Sequence, residues 1–174
     1  MVEWTKGKVN EQIVKKIEGH ADIIKDGIVL AIDPASRSLG WALYEKGKFI
    51  KKGTIVSKKK EVNDRLQDIS AQLQTEFKDV DLLAVEKIRG SQSHDYLKWA
   101  IGMIITSIRA PRLIEVPIQF WRKLIGKDYE KTDENDAEMI GKVVITIAED
   151  HHGKKQTRRK RQRVGRSTEA EAGE

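Results

Sequence analysis

The sequence predicts an α/β protein built on a mixed five-stranded sheet with helices on both faces. Three apolar segments at residues 28–32, 39–44 and 49–56 follow one another with short turns between them, which is typical of an antiparallel meander. After residue 56, segments with the periodicity of amphipathic helices alternate with two more apolar segments. That alternation is typical of parallel strands joined by helices.

The first predicted element is an amphipathic helix within residues 3–18, because its apolar side chains recur at helical spacing. These side chains are Val9, Ile13, Val14 and Ile17. Gly19 is a typical helix end, and a turn at residues 25–27 precedes the first strand. We therefore expect residues 1–27 to form a helical extension.

The predicted strands differ in composition according to their place in the sheet. The turn at residues 45–48 joins the second and third strands of the meander. Residues 80–85 form a fourth strand that is apolar almost throughout, as expected when helices cover both faces. Residues 113–116 form a short fifth strand.

Four helices are predicted after the meander. The first has an apolar stripe that consists of Val62, Leu66, Ile69, Leu73 and Phe77. The second, over residues 92–108, has an apolar face broad enough for both the core and a dimer interface. A short helix at residues 118–125 and a last helix at residues 133–150 complete the chain.

Length and composition exclude several classes of protein. A chain of 174 residues fits one domain, and the absence of cysteine excludes a disulfide framework, a thiolate nucleophile and a cysteine zinc site. No apolar run approaches the roughly 20 residues of a membrane span, and no apolar signal region begins the chain. We expect a cytoplasmic protein.

The net charge of +6 is unevenly distributed. Residues 1–153 are nearly neutral, whereas residues 154–174 carry eight cations and three acids. The cations are Lys154, Lys155, Arg158, Arg159, Lys160, Arg161, Arg163 and Arg166. A dense block of like charge is typical of a disordered tail that binds a phosphate backbone without reading sequence, although a solvated surface is the alternative. Lys58, Lys59 and Lys60 form a smaller cluster, for which a solvated interpretation is favoured.

Four acidic residues occur where packing does not require them. Asp33 directly follows the first strand, and Glu86 directly follows the fourth. Asp133 and Asp136 lie three positions apart at the start of the last helix, and so on one face of it. If the two strands are neighbours and the helix crosses their ends, the four carboxylates converge.

Converging carboxylates need a counter-charge, which divalent cations supply. Magnesium takes oxygen ligands, and two such ions suit the hydrolysis of a phosphodiester. Taken singly, each acid has a simpler interpretation: Asp33 as a turn residue and Asp133 as part of a helix cap or first turn. Taken together, two strand-end acids and a helical pair favour a metal site.

Three motifs resemble those of RuvC-like Holliday junction resolvases, members of the ribonuclease H-like superfamily. The first is Ala-Ile-Asp-Pro-Ala-Ser-Arg-Ser-Leu-Gly-Trp-Ala at residues 31–42, in which Ala35 replaces the usual glycine. The others are Ala-Val-Glu-Lys at residues 84–87 and Asp-Glu-Asn-Asp-Ala at residues 133–137. The resemblance covers about residues 28–150, within a predicted nuclease domain of residues 28–153.

The resemblance implies a ribonuclease H-like fold, a homodimer and magnesium-dependent resolution of four-way DNA junctions by paired symmetric nicks. It implies that Asp33, Glu86, Asp133 and Asp136 hold two Mg²⁺ ions, for which Mn²⁺ is a plausible substitute. The family also has lysines ahead of its last motif, where this chain has Lys127 and Lys131.

Three further residues are candidate DNA contacts because they follow the acidic strand ends. They are Arg37, Arg89 and Ser91, the last of which could instead cap a helix. The N-terminal extension and the basic tail lie outside the family pattern. Such additions are more typical of a phage-encoded relative than of a cellular member of the family. A phage-encoded protein would act in the cytoplasm of a bacterial host.

Other classes of protein remain as alternatives. A ribonuclease H-like nuclease that acts on RNA or on RNA–DNA hybrids would have almost the same acidic site. A non-catalytic DNA-binding module would explain the tail but not the four acids. An actin-like ATPase would need a second domain, for which 174 residues are too few.

Overall fold

The computed structural model describes four parts of the chain and two single positions. They are residues 8–35, 37–87, 110–126 and 128–171, with Gly102 and Ile108. Within these parts, the side chains of residues 8–10, 156 and 158–171 are not described. No helix in the described parts has the length and apolar character needed to cross a membrane.

Five strands form a single mixed sheet. They are β1 (Ile28–Pro34), β2 (Ser38–Glu45), β3 (Lys48–Val56), β4 (Leu82–Lys87) and β5 (Leu113–Pro117). Their order is β3-β2-β1-β4-β5, with β1, β2 and β3 antiparallel and with β4 parallel to both β1 and β5. The predicted fold class is confirmed. The tight turn between β2 and β3 has positive φ angles at Lys46 (52°) and Gly47 (73°), as in a hairpin whose turn follows the twist of its strands.

Five helices accompany the sheet in the described part of the chain. They are α1 (Lys8–Glu18), α2 (Ala21–Asp26), α3 (Val62–Glu76), α4 (Ile118–Trp121) and α5 (Asp133–Glu171). A 3₁₀ turn, Arg122–Leu124, follows α4. Helix α2 was not predicted, because six residues are too few to show a clear period. The predicted helix over residues 92–108 lies mostly outside the described residues, of which Gly102 and Ile108 are helical.

The core has two layers, one on each face of the sheet. Side chains of β1 alternate between them: Val29 and Ala31 belong to the layer formed with α1, α2 and α5, whereas Leu30 and Ile32 belong to the layer formed with α3. All four are fully buried. Helices on both faces therefore explain why this strand is apolar throughout.

Helix α5 packs across β1 and β2 in a fixed register. A Cβ atom on Gly141 would lie 2.2 Å from Cε2 of Tyr44, so only glycine allows the helix to approach this ring. The Tyr44 hydroxyl donates to the carbonyl oxygen of Glu138 at 2.7 Å, and Lys52 Nζ lies 2.6 Å from the Glu138 carboxylate. These contacts hold the helix against β2 and β3.

The C-terminal end of α5 differs from the prediction. The last helix was predicted to end near residue 150, but the backbone is helical as far as Glu171. The disorder of residues 154–174 in the free protein stays a prediction. The segment contains no proline and is rich in Lys, Arg and Gln, which are good helix formers. Because it continues a packed helix, it also avoids the cost of nucleating a new one.

Candidate active site

Asp33 and Glu86 lie side by side at the carboxyl ends of two neighbouring strands. In the parallel pairing of β1 with β4, Ile32 is opposite Val85, and each acid is the next residue along its strand. Adjacent strands are about 4.8 Å apart. This is the arrangement that the sequence predicted for the two strand-end acids.

The first turn of α5 brings Asp133 and Asp136 to the same edge of the sheet. Gly40 of β2 is paired with Asp33, and a Cβ atom on Gly40 would lie 1.9 Å from the carbonyl oxygen of Asp133. The start of the helix therefore rests directly on the backbone beside Asp33. Asp136, one turn later, is 6% exposed and is one of the few buried charged side chains in the described residues.

Asp33 and Glu86 are close enough to the other acids of the group for those charges to affect their ionisation. The pKa of Asp33 is raised from 3.8 to about 7 by burial, which is the largest cause, together with the charges of Glu86, Asp136 and Asp133 in that order, whereas Lys131 opposes the shift. Burial also raises the pKa of Glu86, followed by the charge of Asp136. Negative charge is thus concentrated at this edge beyond what the surrounding side chains compensate.

Two hydroxyl groups hold the helical acids in place. The Ser38 hydroxyl donates to Oδ2 of Asp133, and the Tyr129 hydroxyl donates to Oδ1 of Asp136. Burial, followed by the hydrogen bond to Asp136, raises the pKa of Tyr129 above its ordinary value. Sequence reasoning missed the roles of both residues, because nothing in the sequence around either one indicates its hydrogen-bond partner.

Two positively charged side chains, Lys131 and Arg122, act on the acids. Lys131 is exposed and lowers the pKa of both Asp33 and Glu86. Arg122, which sequence reasoning also missed, is the largest influence that lowers the pKa of Glu86. The indole of Trp121 lowers it too, although its buried Nε1 has no hydrogen-bond partner of acceptable geometry in the described residues.

The other predicted site residues are placed to different extents. Arg37 is exposed in the turn between β1 and β2, four residues after Asp33. Lys154 and Lys155 are exposed on α5, about 30 Å along the helix from Asp133 at 1.5 Å per residue. The remaining tail cations lie on the helical backbone of residues 158–166. The predicted roles of Lys127, Arg89 and Ser91 concern positions outside the described residues.

The donor set at this edge fits a divalent cation in its chemistry. Carboxylate oxygens are the ligands that Mg²⁺ prefers, and a cation would relieve the repulsion that raises the pKa of Asp33. Among the described residues, no three or more His, Asp or Glu side chains already converge at ligand distance. Mg²⁺ commonly takes only one or two carboxylates and completes its shell with water and phosphate oxygens, so the open arrangement suits it.

Comparison with known proteins identifies the fold. No protein-family model matches the sequence, and a search of curated proteins gave no match. RuvC of Thermus thermophilus is similar with a TM-score of 0.52 at 15% identity, over 75% of this chain and 97% of that chain. T. thermophilus RuvC in complex with a Holliday junction substrate gives 0.52 at 14% identity, over 73% and 94%. The yeast mitochondrial Holliday junction resolvase Ydc2 gives 0.53 at 9% identity, over 85% and 89%.

These similarities define a class of fold. The chain has a ribonuclease H-like fold, with an antiparallel meander continued by parallel strands and covered by helices on both faces. Within that class, the fold is of the RuvC type. At this level of identity the similarity establishes the fold alone.

Proposed function

We propose that this protein is a magnesium-dependent, structure-selective endonuclease that resolves four-way and other branched DNA junctions. One observation carries the proposal: Asp33 lies at one sheet edge with Glu86, Asp133 and Asp136, where burial and the charges of those three acids together raise its pKa to about 7. Repulsion between buried carboxylates destabilises a packed core, whereas bound metal ions would neutralise it. The two resolvases of the same fold support the choice of substrate.

The four acids would hold the metal ions. When bound, two Mg²⁺ or Mn²⁺ ions would supply an activated water and stabilise the leaving oxygen of the scissile phosphodiester. The chain itself contributes orientation. Hydrogen bonds from Ser38 and Tyr129 restrain the carboxylates of Asp133 and Asp136, which preorganises the ligand oxygens.

Positively charged side chains would offset the repulsion between the scissile phosphate and the acidic residues of the site. Lys131 and Arg122 already act on the acids electrostatically, so each lies where it can neutralise a phosphate at the same edge. We also keep Lys127 in this role, as well as Arg37, Arg89 and Ser91 as DNA contacts. In this proposal, the cations of the tail bind DNA about 30–50 Å along the helix from Asp133, roughly nine to fifteen base pairs away on a straight duplex.

The symmetry of the substrate supports a homodimer. A four-way junction has two equivalent strands to cut, and a two-fold dimer would present two identical sites for paired symmetric nicks. The predicted interface on residues 92–108 lies mostly outside the described part of the chain. A phage origin and a bacterial cytoplasmic location stay predictions from sequence.

A cleavage panel tests the proposal. Four-way junction, fork, duplex and RNA–DNA hybrid are incubated with the protein in Mg²⁺ or in chelator. We expect symmetric nicks in the junction that require Mg²⁺ and that disappear in Asp33→Asn and Asp136→Asn. Asp79→Asn, which changes an exposed carboxylate outside the cluster, is the matched control and keeps full activity.

Each alternative has its own outcome in that panel. Cleavage of the hybrid in preference to the junction would favour the ribonuclease alternative. Junction binding with no cleavage in Mg²⁺ or Mn²⁺ would favour the DNA-binding module. Continued cleavage by both acid variants would show that the site has been wrongly assigned.

A further inference from the structure

The loop between β3 and α3 carries three consecutive exposed lysines, Lys58, Lys59 and Lys60. Sequence reasoning favoured a solvated surface for them. In the structure, the loop leaves β3 at the same sheet edge as the acidic cluster, because β3 ends where β2 begins. The backbone N–H of Ser57 donates to the carbonyl oxygen of Arg37 at 3.1 Å, which joins the loop to the β1–β2 turn.

The distance from the acids suits a contact with the same DNA strand. Gly40 pairs with both Asp33 and Thr54, so Thr54 lies two strand spacings, about 10 Å, from Asp33. Lys58 comes four residues later, which adds up to about 13 Å along the strand direction. The resulting separation of roughly 16 Å equals the axial rise of about five base pairs of a duplex.

Buried polar side chains hold this loop. Among the described residues, only Ser57, Arg65 and Asp136 are polar or charged and buried, and two of these three support the loop. Arg65, on α3, donates from Nη1 to the carbonyl oxygens of Lys60 at 2.5 Å and Lys59 at 3.4 Å. A guanidinium is costly to bury, so a side chain that is 8% exposed and bonded to two loop carbonyls determines the loop conformation.

The Ser57 hydroxyl adds a second support. Its Oγ accepts a hydrogen bond from the backbone N–H of Lys59 at 3.4 Å, and its hydroxyl lowers the pKa of Asp68 on α3. Lys59 also lowers that pKa, although by less, so its charge is partly compensated. Glu61 and Asp64 follow near the start of α3, where they favour the helix dipole. In the part of the chain that the structure describes, Lys58 and Lys60 form no ion pair.

We propose that Lys58, Lys59 and Lys60 form a preorganised binding site for the DNA phosphate backbone at the rim of the candidate active site, with Arg65 as its positioning residue. A loop that is already ordered loses less conformational entropy when it binds than a flexible lysine-rich segment would. The proposal rests on the proposed function in one respect: the ligand is the backbone of the same branched DNA.

The test measures the salt dependence of binding to a fluorescent four-way DNA junction in chelator, which prevents cleavage. Replacement of all three loop lysines by Gln is expected to reduce the magnitude of the slope of log K against log salt by about 2 to 3. The matched control replaces Lys25, Lys46 and Lys48 by Gln. These residues are exposed at the opposite edge of the sheet, and their loss changes the net charge equally. An equal reduction in both variants would overturn the proposal.

Arg65→Gln and Ser57→Ala test the positioning role. Each is expected to reduce the slope in the wild-type background and to have no further effect in the triple-Gln background, because the lysines through which it acts are gone. A purely structural role would weaken binding equally in both backgrounds and would overturn this part. Ser57→Ala removes one hydroxyl only, and circular dichroism verifies that each variant is folded.

The outcomes separate this proposal from the proposed function. Loop-dependent binding without any cleavage in Mg²⁺ would support the loop and overturn the endonuclease. Metal-dependent junction cleavage with equal slopes for the two triple variants would overturn the loop alone. A protein that binds no DNA would overturn both.

Discussion

Replacement of Asp33 by Asn is expected to stabilise the metal-free protein and to abolish metal-dependent cleavage at the same time. Burial and the charges of Glu86, Asp136 and Asp133 raise the pKa of Asp33 to about 7 from its ordinary value of 3.8. The folded state therefore resists ionisation of this carboxyl, whereas the unfolded state does not. Asn has nearly the same shape and never ionises, so it avoids that penalty.

The expected gain depends on pH in a defined direction. Below about pH 4 the carboxyl is protonated in both states, and the substitution changes stability little. The penalty grows as pH rises from 3.8 to about 7 and is constant above that, because both states are then ionised. A shift of roughly three units at 1.4 kcal/mol each corresponds to about 4 kcal/mol at pH 8 and to less than half of that at pH 5.

Urea denaturation in chelator between pH 4 and pH 8 measures this gain through the midpoint at constant m-value. Asp79→Asn is the control, because it removes an exposed carboxylate and should change stability by less than about 0.5 kcal/mol at any pH. Added Mg²⁺ should stabilise the wild type by mass action and should stabilise Asp33→Asn far less. An Asp33→Asn variant that is no more stable than wild type at pH 8 would refute the electrostatic reasoning.

Three further predictions follow from the geometry. Gly40→Ala should lower the free energy of unfolding by about 1–3 kcal/mol or more and should eliminate cleavage, because its Cβ would collide with the backbone of Asp133. Urea denaturation measures the first effect and a cleavage assay measures the second. Tyr129→Phe should raise the Mg²⁺ concentration for half-maximal cleavage by roughly 10–100-fold, because Asp136 loses its hydroxyl donor. Removal of residues 154–174 should reduce the salt slope of junction binding by roughly 5 to 7 and leave turnover on saturating junction nearly unchanged.

Controls distinguish these effects from general loss of structure. Gly141→Ala creates a similar clash, with the ring of Tyr44, but at the opposite end of the α5 contact. It should lower stability and leave the cleavage of the remaining folded protein intact. A truncated protein with the same salt slope as wild type would reduce the basic segment to a role in solubility.

Local sequence pattern was sufficient for the framework of this fold. The strands and most of the helices could be predicted because burial on a sheet or helix imposes a period of 2 or 3.6 on neighbouring residues. Asp33 and Glu86 could be predicted for the same reason, since each directly follows an apolar strand. Helix α2 and the extension of α5 beyond residue 150 were missed, because the first is too short to show a period and the second has no apolar stripe.

The sequence by itself determined the order of most elements along the chain, the positions of the four acids in it and their separation from the basic segment. The placement of β1 beside β4, which brings Asp33 next to Glu86, was decided only by the tertiary structure. Only the tertiary structure decided which side chains surround those acids. Ser38 and Asp133 are 95 positions apart, and nothing near either residue identifies its partner. Arg65 looks like any helical arginine until its burial beneath the lysine loop is seen. Burial on a sheet or helix imposes a period on neighbouring residues that can be seen in the sequence. A polar contact between distant segments imposes no local pattern, so it can be identified only in the folded structure.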